Sequence, residues 1–191
     1  MATTQKARRH HPVLVTLHWL LGLMLMVALG MGSFVLGAMP LDAPGKLDAL
    51  RGHMVVGLLI GALMLVRLVV RLATVRNVEP TPGSGSAAKD ALAKVVHVGL
   101  YVLVFAMVGS GVATSVLSGL PDVVFGPAGG VVPDAVRTVA PRMAHGWIAK
   151  GIALLVFLHI AGALMRHFVN KDGTMGRMWW GKGSPRFQCN K

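Results

Sequence analysis

Residues 145–167 read HGWIAKGIALLVFLHIAGALMRH, and from Gly151 to Met165 they carry no charged side chain. The run is oily enough to lie in hydrocarbon, yet His159 sits in it. A polar ring in hydrocarbon is costly unless something binds it. His145 precedes His159 by 14 residues. At about 100° and 1.5 Å per residue, that spacing returns to within about 40° of the same direction, about 21 Å along the axis. One face of one helix therefore carries two imidazoles, one near each end.

The chain of 191 residues is 54% hydrophobic and 14% charged, with mean hydropathy +0.64. A soluble domain carries about a quarter charged residues, so the composition is that of a membrane protein. Three further runs, Val13 to Leu41, Gly52 to Val66 and Val95 to Leu120, are free of charge. A span needs roughly 20 apolar residues and tolerates snorkelling charges at its ends. Four helices follow, at approximately 12–37, 48–73, 91–117 and 141–169, because only helices or closed barrels satisfy their backbone in lipid and these runs lack strand alternation. The fold class is an all-α, integral membrane four-helix bundle. It occupies residues 12–170, between a basic arm (1–11) and a basic tail (171–191). The first run reads as a span, not a cleaved signal, being too long for a signal core. NVEPTPGSGSAAKD reads as a loop. SGLPDVVFGPAGGVVPDAVRTVAPR reads as a longer loop whose VVF piece is a candidate to dip into the interface.

Lysines and arginines set the direction. The arm, the second connector with its edges, and the tail hold fourteen of them; the other side holds five, Lys46, Arg51, Arg137, Arg142 and Lys150. The positive-inside rule then places both termini in the cytoplasm. The formal charge of +12 is accounted for by membrane-surface orientation rather than nucleic acid, since the bases flank oily runs. The single cysteine, Cys189, excludes an internal disulfide and argues against a cysteine-held cluster.

Depth sorts the histidines. His18 and His159 share the cytoplasmic half; His53 and His145 share the opposite half. Two facing imidazoles with no Asp, Glu or Cys beside them suit bis-imidazole haem iron. Zinc normally takes four ligands, and each depth offers two strong ones. The expectation is two haem b groups, ligated by the pairs His18–His159 and His53–His145. His97 shares the cytoplasmic depth and is read as lining a pocket beside that haem, with replacement of His18 or His159 as ligand the alternative. Gly22, Gly30, Gly32, Gly52, Gly57, Gly61, Gly109, Gly111, Gly146, Gly151 and Gly162 punctuate the spans; they read either as close helix packing or as space for a flat macrocycle. Arg67 and Arg71, at i and i+4, and Arg51 are candidate partners of haem propionates, with lipid phosphate the competing reading for the first two.

TLHWLLGLMLM, RGHMVVGLLIGALMLVRLVVRL, VVHVGLYVLVFAMVGSGV and AHGWIAKGIALLVFLHIAGALMRHFVNKDGTMGRM, in that order, resemble the bacterial cytochrome b561 family over roughly residues 10–180. The resemblance implies a dihaem cytochrome of the bacterial inner membrane that exchanges electrons with ubiquinone or menaquinone, with His18, His53, His145 and His159 as iron ligands. It places His97 near a quinone pocket. Where close relatives often carry a histidine seven residues after the last ligand, this chain has Arg166, with His167 next; Arg166 and His167 are candidate quinone contacts. No residue is expected to be catalytic in the covalent sense, so the chain reads as an electron-transfer protein or quinone-linked oxidoreductase. A small anionic periplasmic donor such as superoxide is the candidate electron source. The same architecture serves as the membrane-anchor cytochrome of formate dehydrogenase- and hydrogenase-type complexes, which would add a redox partner subunit, and a non-redox four-helix transporter or scaffold is the third reading.

Overall fold

The computed structural model describes residues 11–74, 86–127, 130–171 and 174–179. Most of the basic arm, the centre of the second connector and the end of the basic tail lie outside them. Four helices are long and apolar enough to cross a membrane: Pro12–Leu36, Lys46–Thr74, Ala87–Leu117 and Ala140–Asn170. The first is α1 (Pro12–Gly30) continued by a π-helical turn (Met31–Leu36). The second is α2 (Lys46–Thr74) and the third α3 (Ala87–Leu117). Two short helices, α4 (Leu120–Phe125) and α5 (Ala135–Thr138), lead to α6 (Ala140–Met165), which also ends in a π-helical turn (Arg166–Asn170). A 3-10 turn, Thr174–Met178, closes the described chain.

The spans begin where local chemistry starts a helix. Pro12 and Pro141 occupy the first turns of α1 and α6, where a missing N–H costs nothing and the fixed φ is already helical. α3 starts at Ala87, earlier than the hydropathy boundary near residue 91, because Ser86 provides the N-cap position and Asp90 the acidic first turn. The last span, through its π-helical turn, stops at Lys171, which is in the left-handed region at φ 49.

α1 packs on α2, α2 on α3 and α3 on α6. Leu17, Leu21, Ile60, Met64, Val104 and Ile152 form the buried core among these four helices. The remaining apolar surface, including Leu23, Leu58, Leu72, Val102 and Phe157, faces outward, as lipid requires. Buried hydroxyls are satisfied along their own helix. Thr114 Oγ1 donates to Ser110 O at 2.8 Å, and Ser118 Oγ to Thr114 O at 2.8 Å.

The stretch read as a long loop is partly helical. Gly119, at φ 69, ends α3, and Pro121 opens α4 directly behind it. The VVF piece lies in α4, and its Val124 is fully buried with Leu120, Val132 and Val136 against Leu41, Leu47, Leu50 and Met54. Two cations pin this end. Arg51 donates from Nε (2.9 Å) and Nη2 (2.6 Å) to Val124 O. Lys46, only 5% exposed, donates to Leu36 O (2.6 Å) and Met39 O (3.0 Å), capping the carbonyls left over at the end of the first span.

Candidate functional site

Helical registry brings the histidines together in two tiers. In one, His18 of α1 and His159 of α6 have ring centres 5.8 Å apart with planes at 66°. In the other, His53 of α2 and His145 of α6 are 6.3 Å apart at 76°. An imidazole nitrogen lies about 1 Å from its ring centre and a metal–imidazole bond is about 2 Å long, so two rings on opposite sides of one metal sit about 6 Å apart. Among the described residues no group of three or more His, Cys, Asp or Glu side chains is arranged to hold a metal ion; the tiers present two imidazoles each.

The second tier is seated by glycines of neighbouring helices. A Cβ on Gly32 would meet His53 Cε1 at 3.2 Å, and one on Gly111 would meet His145 Cε1 at 3.2 Å. Ser110, beside Gly111, places Oγ 3.1 Å from His145 Nδ1. His53 Nδ1 is buried with no hydrogen-bond partner. Such an atom costs roughly 1–3 kcal/mol, which is tolerable where the ring gains a bond elsewhere. Other glycines serve packing: Gly61 admits Val108 and Gly151 admits Leu103. Gly22, Gly57 and Gly162 face open space. The packing reading of the glycines thus holds at Gly61 and Gly151.

The first tier has more polar company. The His97 ring centre is 5.0 Å from that of His159, at 88°, so α3 brings a third imidazole to this depth. His97 Nδ1 lies 2.5 Å from Ala93 O, so Nδ1 carries the proton and Nε2 keeps the lone pair in the neutral ring. Arg67 donates to Leu14 O at 2.7 Å, one turn before His18. Arg166 lies 3.9 Å from Asp90, joining the end of α6 to the start of α3. His167 is exposed and meets Phe168, ring centres 4.7 Å apart, on the outside of the bundle. Arg71 lies over the Tyr101 ring at 5.6 Å, and the Tyr101 hydroxyl is buried without a partner. The 3-10 turn folds back here: Trp19 Nε1 donates to Met178 O at 2.8 Å, and the Trp19 ring meets that of Trp179 at 5.7 Å.

Three of the sequence candidates are thereby occupied. Arg51 is committed to Val124 O and, through Nη1, to Asp48 at 2.6 Å. Arg67 holds a backbone carbonyl of α1, and Arg166 pairs with Asp90. Arg142, three residues before His145 on the same helix, is exposed. Sequence reading missed Ser110, whose signal was a hydroxyl beside a glycine in the apolar run VGSGV.

The profile of the prokaryotic cytochrome b561 family matches residues 9–181. The Escherichia coli (strain K12) protein named cytochrome b561 homolog 2 is 36% identical over 126 residues, covering 62% of this chain and 66% of the relative. The alignment thus spans just under two thirds of that relative's length. With four helices long and apolar enough to span a membrane, the chain belongs to the prokaryotic cytochrome b561 family and is a multi-pass protein of the bacterial inner membrane.

Proposed function

We propose that the chain is a dihaem cytochrome that carries electrons across the inner membrane and exchanges them with quinone, ubiquinone or menaquinone, at its cytoplasmic end. The observation that carries this reading is the pair of imidazole tiers, 5.8 and 6.3 Å between ring centres, against the about 6 Å that one shared metal requires. His18 and His159 would hold one haem iron, and His53 and His145 the other; each haem would supply a one-electron couple there.

The residue one turn after each proposed ligand supports the same set. Positions i and i+4 share a helix face, and a flat macrocycle beside a ligand needs that place small. The four positions are Gly22, Gly57, Ala149 and Ala163. His97 is followed instead by Tyr101, and its ring is closer to His159 than two axial ligands of one metal stand. His97 is therefore a neighbour of that haem. Its Nδ1 is committed to Ala93 O, so Nε2 is the atom that takes or gives the proton quinone chemistry needs. Arg166, Asp90 and His167 line the same end of α3 and α6 and keep it polar.

Orientation with both termini in the cytoplasm rests on the fourteen-to-five division of Lys and Arg. The His53–His145 end then faces the periplasm, with Arg137 and Arg142 exposed there. A small anion such as superoxide is the class of donor they attract.

The test is reduction of the purified, pigmented protein by a ubiquinol or menaquinol analogue, followed in the visible spectrum. Haem b bands that appear on quinol addition support the reading. Absence of any haem b spectrum overturns it. Reduction that occurs only with a copurifying iron–sulfur subunit assigns the chain instead to the anchor of a dehydrogenase- or hydrogenase-type complex.

A further inference from the structure

We propose that Ser110 is a positioning residue for His145, and that through it α3 sets the electron-donor strength of one axial imidazole of the periplasmic haem. The inference rests on the reading of His145 as a haem ligand and adds a residue from a helix that supplies no ligand in that reading.

Ser110 Oγ lies 3.0 Å from Met107 O and 3.1 Å from His145 Nδ1. A carbonyl only accepts, so the serine proton goes to Met107 O. With that proton on Met107 O, the serine oxygen is left to accept from His145. With His145 as a ligand through Nε2, Nδ1 carries the proton that the serine oxygen accepts. Gly111, next in the chain, lets the ring edge come this close, because a Cβ there would stand 3.2 Å from Cε1 and 3.5 Å from Nδ1. Ser110 and Gly111 together form a seat on α3 that fixes the rotation of the His145 ring.

His53, across the same tier, has no such acceptor: its Nδ1 is buried and unpartnered. The two imidazoles of this tier are thus unequal. An N–H that donates into a hydroxyl pushes electron density onto the far nitrogen and favours the oxidised metal. Ser110 therefore lowers the potential of the periplasmic haem and leaves the other haem alone.

The experiment compares Ser110→Ala, Ser110→Thr and Ser110→Cys by redox titration of both haems, with low-spin ferric spectra recorded alongside. Ser110→Ala raises the midpoint of one haem alone, by a three- to tenfold change in its reduced-to-oxidised ratio, tenfold being about 59 mV for one electron. That haem is the one missing from His53→Ala. Ser110→Thr, which keeps a hydroxyl on the same turn, titrates like the unsubstituted protein, and Ser110→Cys, a weaker acceptor, shifts in the direction of Ser110→Ala. The Cys and Thr variants carry the comparison if Ser110→Ala does not retain the haem. Unmoved midpoints in Ser110→Ala and Ser110→Cys, equal shifts with Thr, or a shift of the other haem overturn the inference while leaving the dihaem reading intact. A protein with no haem on the His53–His145 tier overturns the reading on which it rests.

Discussion

The His53 and His145 rings each rest on a glycine of a neighbouring helix, Gly32 and Gly111, whereas His18 and His159 meet other rings, those of Trp19 and His97. Around the first pair the connectors are knotted down by Lys46 and Arg51, each donating to backbone carbonyls. Around the second pair lie the Arg166–Asp90 ion pair, a third histidine and a returning 3-10 turn held by Trp19. One tier is built for fixed geometry, with backbone and glycine contacts that leave few alternatives. The other gathers a third imidazole, an ion pair and exposed polar groups, the kinds of group that proton-linked quinone chemistry at that end would use under the proposed function.

Four groups of substitutions probe that contrast. The largest effect comes from the ligands. His53→Ala and His145→Ala should each remove the same half of the haem, and His18→Ala and His159→Ala the other half, read as haem per protein by difference spectrum. His97→Ala should retain both; loss of a haem there, with His18→Ala unaffected, would reverse the assignment. Next is the glycine seat. Gly111→Leu and Gly32→Leu should deplete the haem of the His53–His145 tier by more than half and spare the other, because a branched side chain cannot share a 3.2 Å space with the ring.

A smaller effect is expected at the knot. Lys46→Met leaves the Leu36 and Met39 carbonyls without their donor and should lower stability by about 2 kcal/mol, a fall in Tm of about 4–8 °C for a chain of this size, with both haems retained. The smallest belongs to Asp90 and Arg166. At 3.9 Å with Asp90 substantially exposed, the pair should show a coupling below about 1 kcal/mol in a double-mutant cycle of thermal stability. Quinol-driven reduction should slow more in Arg166→Ala than that stability change explains.

The bundle was legible in the sequence because hydropathy in lipid is nearly unconditional: a charge-free run of span length has one stable conformation there. The pairing of tiers was legible too, since helix rise converts sequence position into depth and His145 and His159 share a face by arithmetic. Local chemistry within connectors was less so. α4 is helical although its six residues carry little periodicity; Gly119, Pro121 and Asp122 held the signal, but the stretch is too short for a pattern to emerge. Lys46 counted in the sequence only as one of five bases on its side, and only the fold turns its ammonium inward onto the carbonyls at the end of the first span. Arg51 looked free for a propionate until α4 delivered Val124 O to it. Ser110 was invisible for a related reason: its partner is 35 residues away on another helix, and nothing in VGSGV names that partner.

If the two tiers of paired histidines each hold a haem b, the purified protein should carry two haems per chain, counted by extraction against protein mass, falling to one in His145→Ala and to one in His159→Ala. A ratio of one in the unsubstituted protein, or the loss of both haems from either single variant with the fold intact, would contradict it.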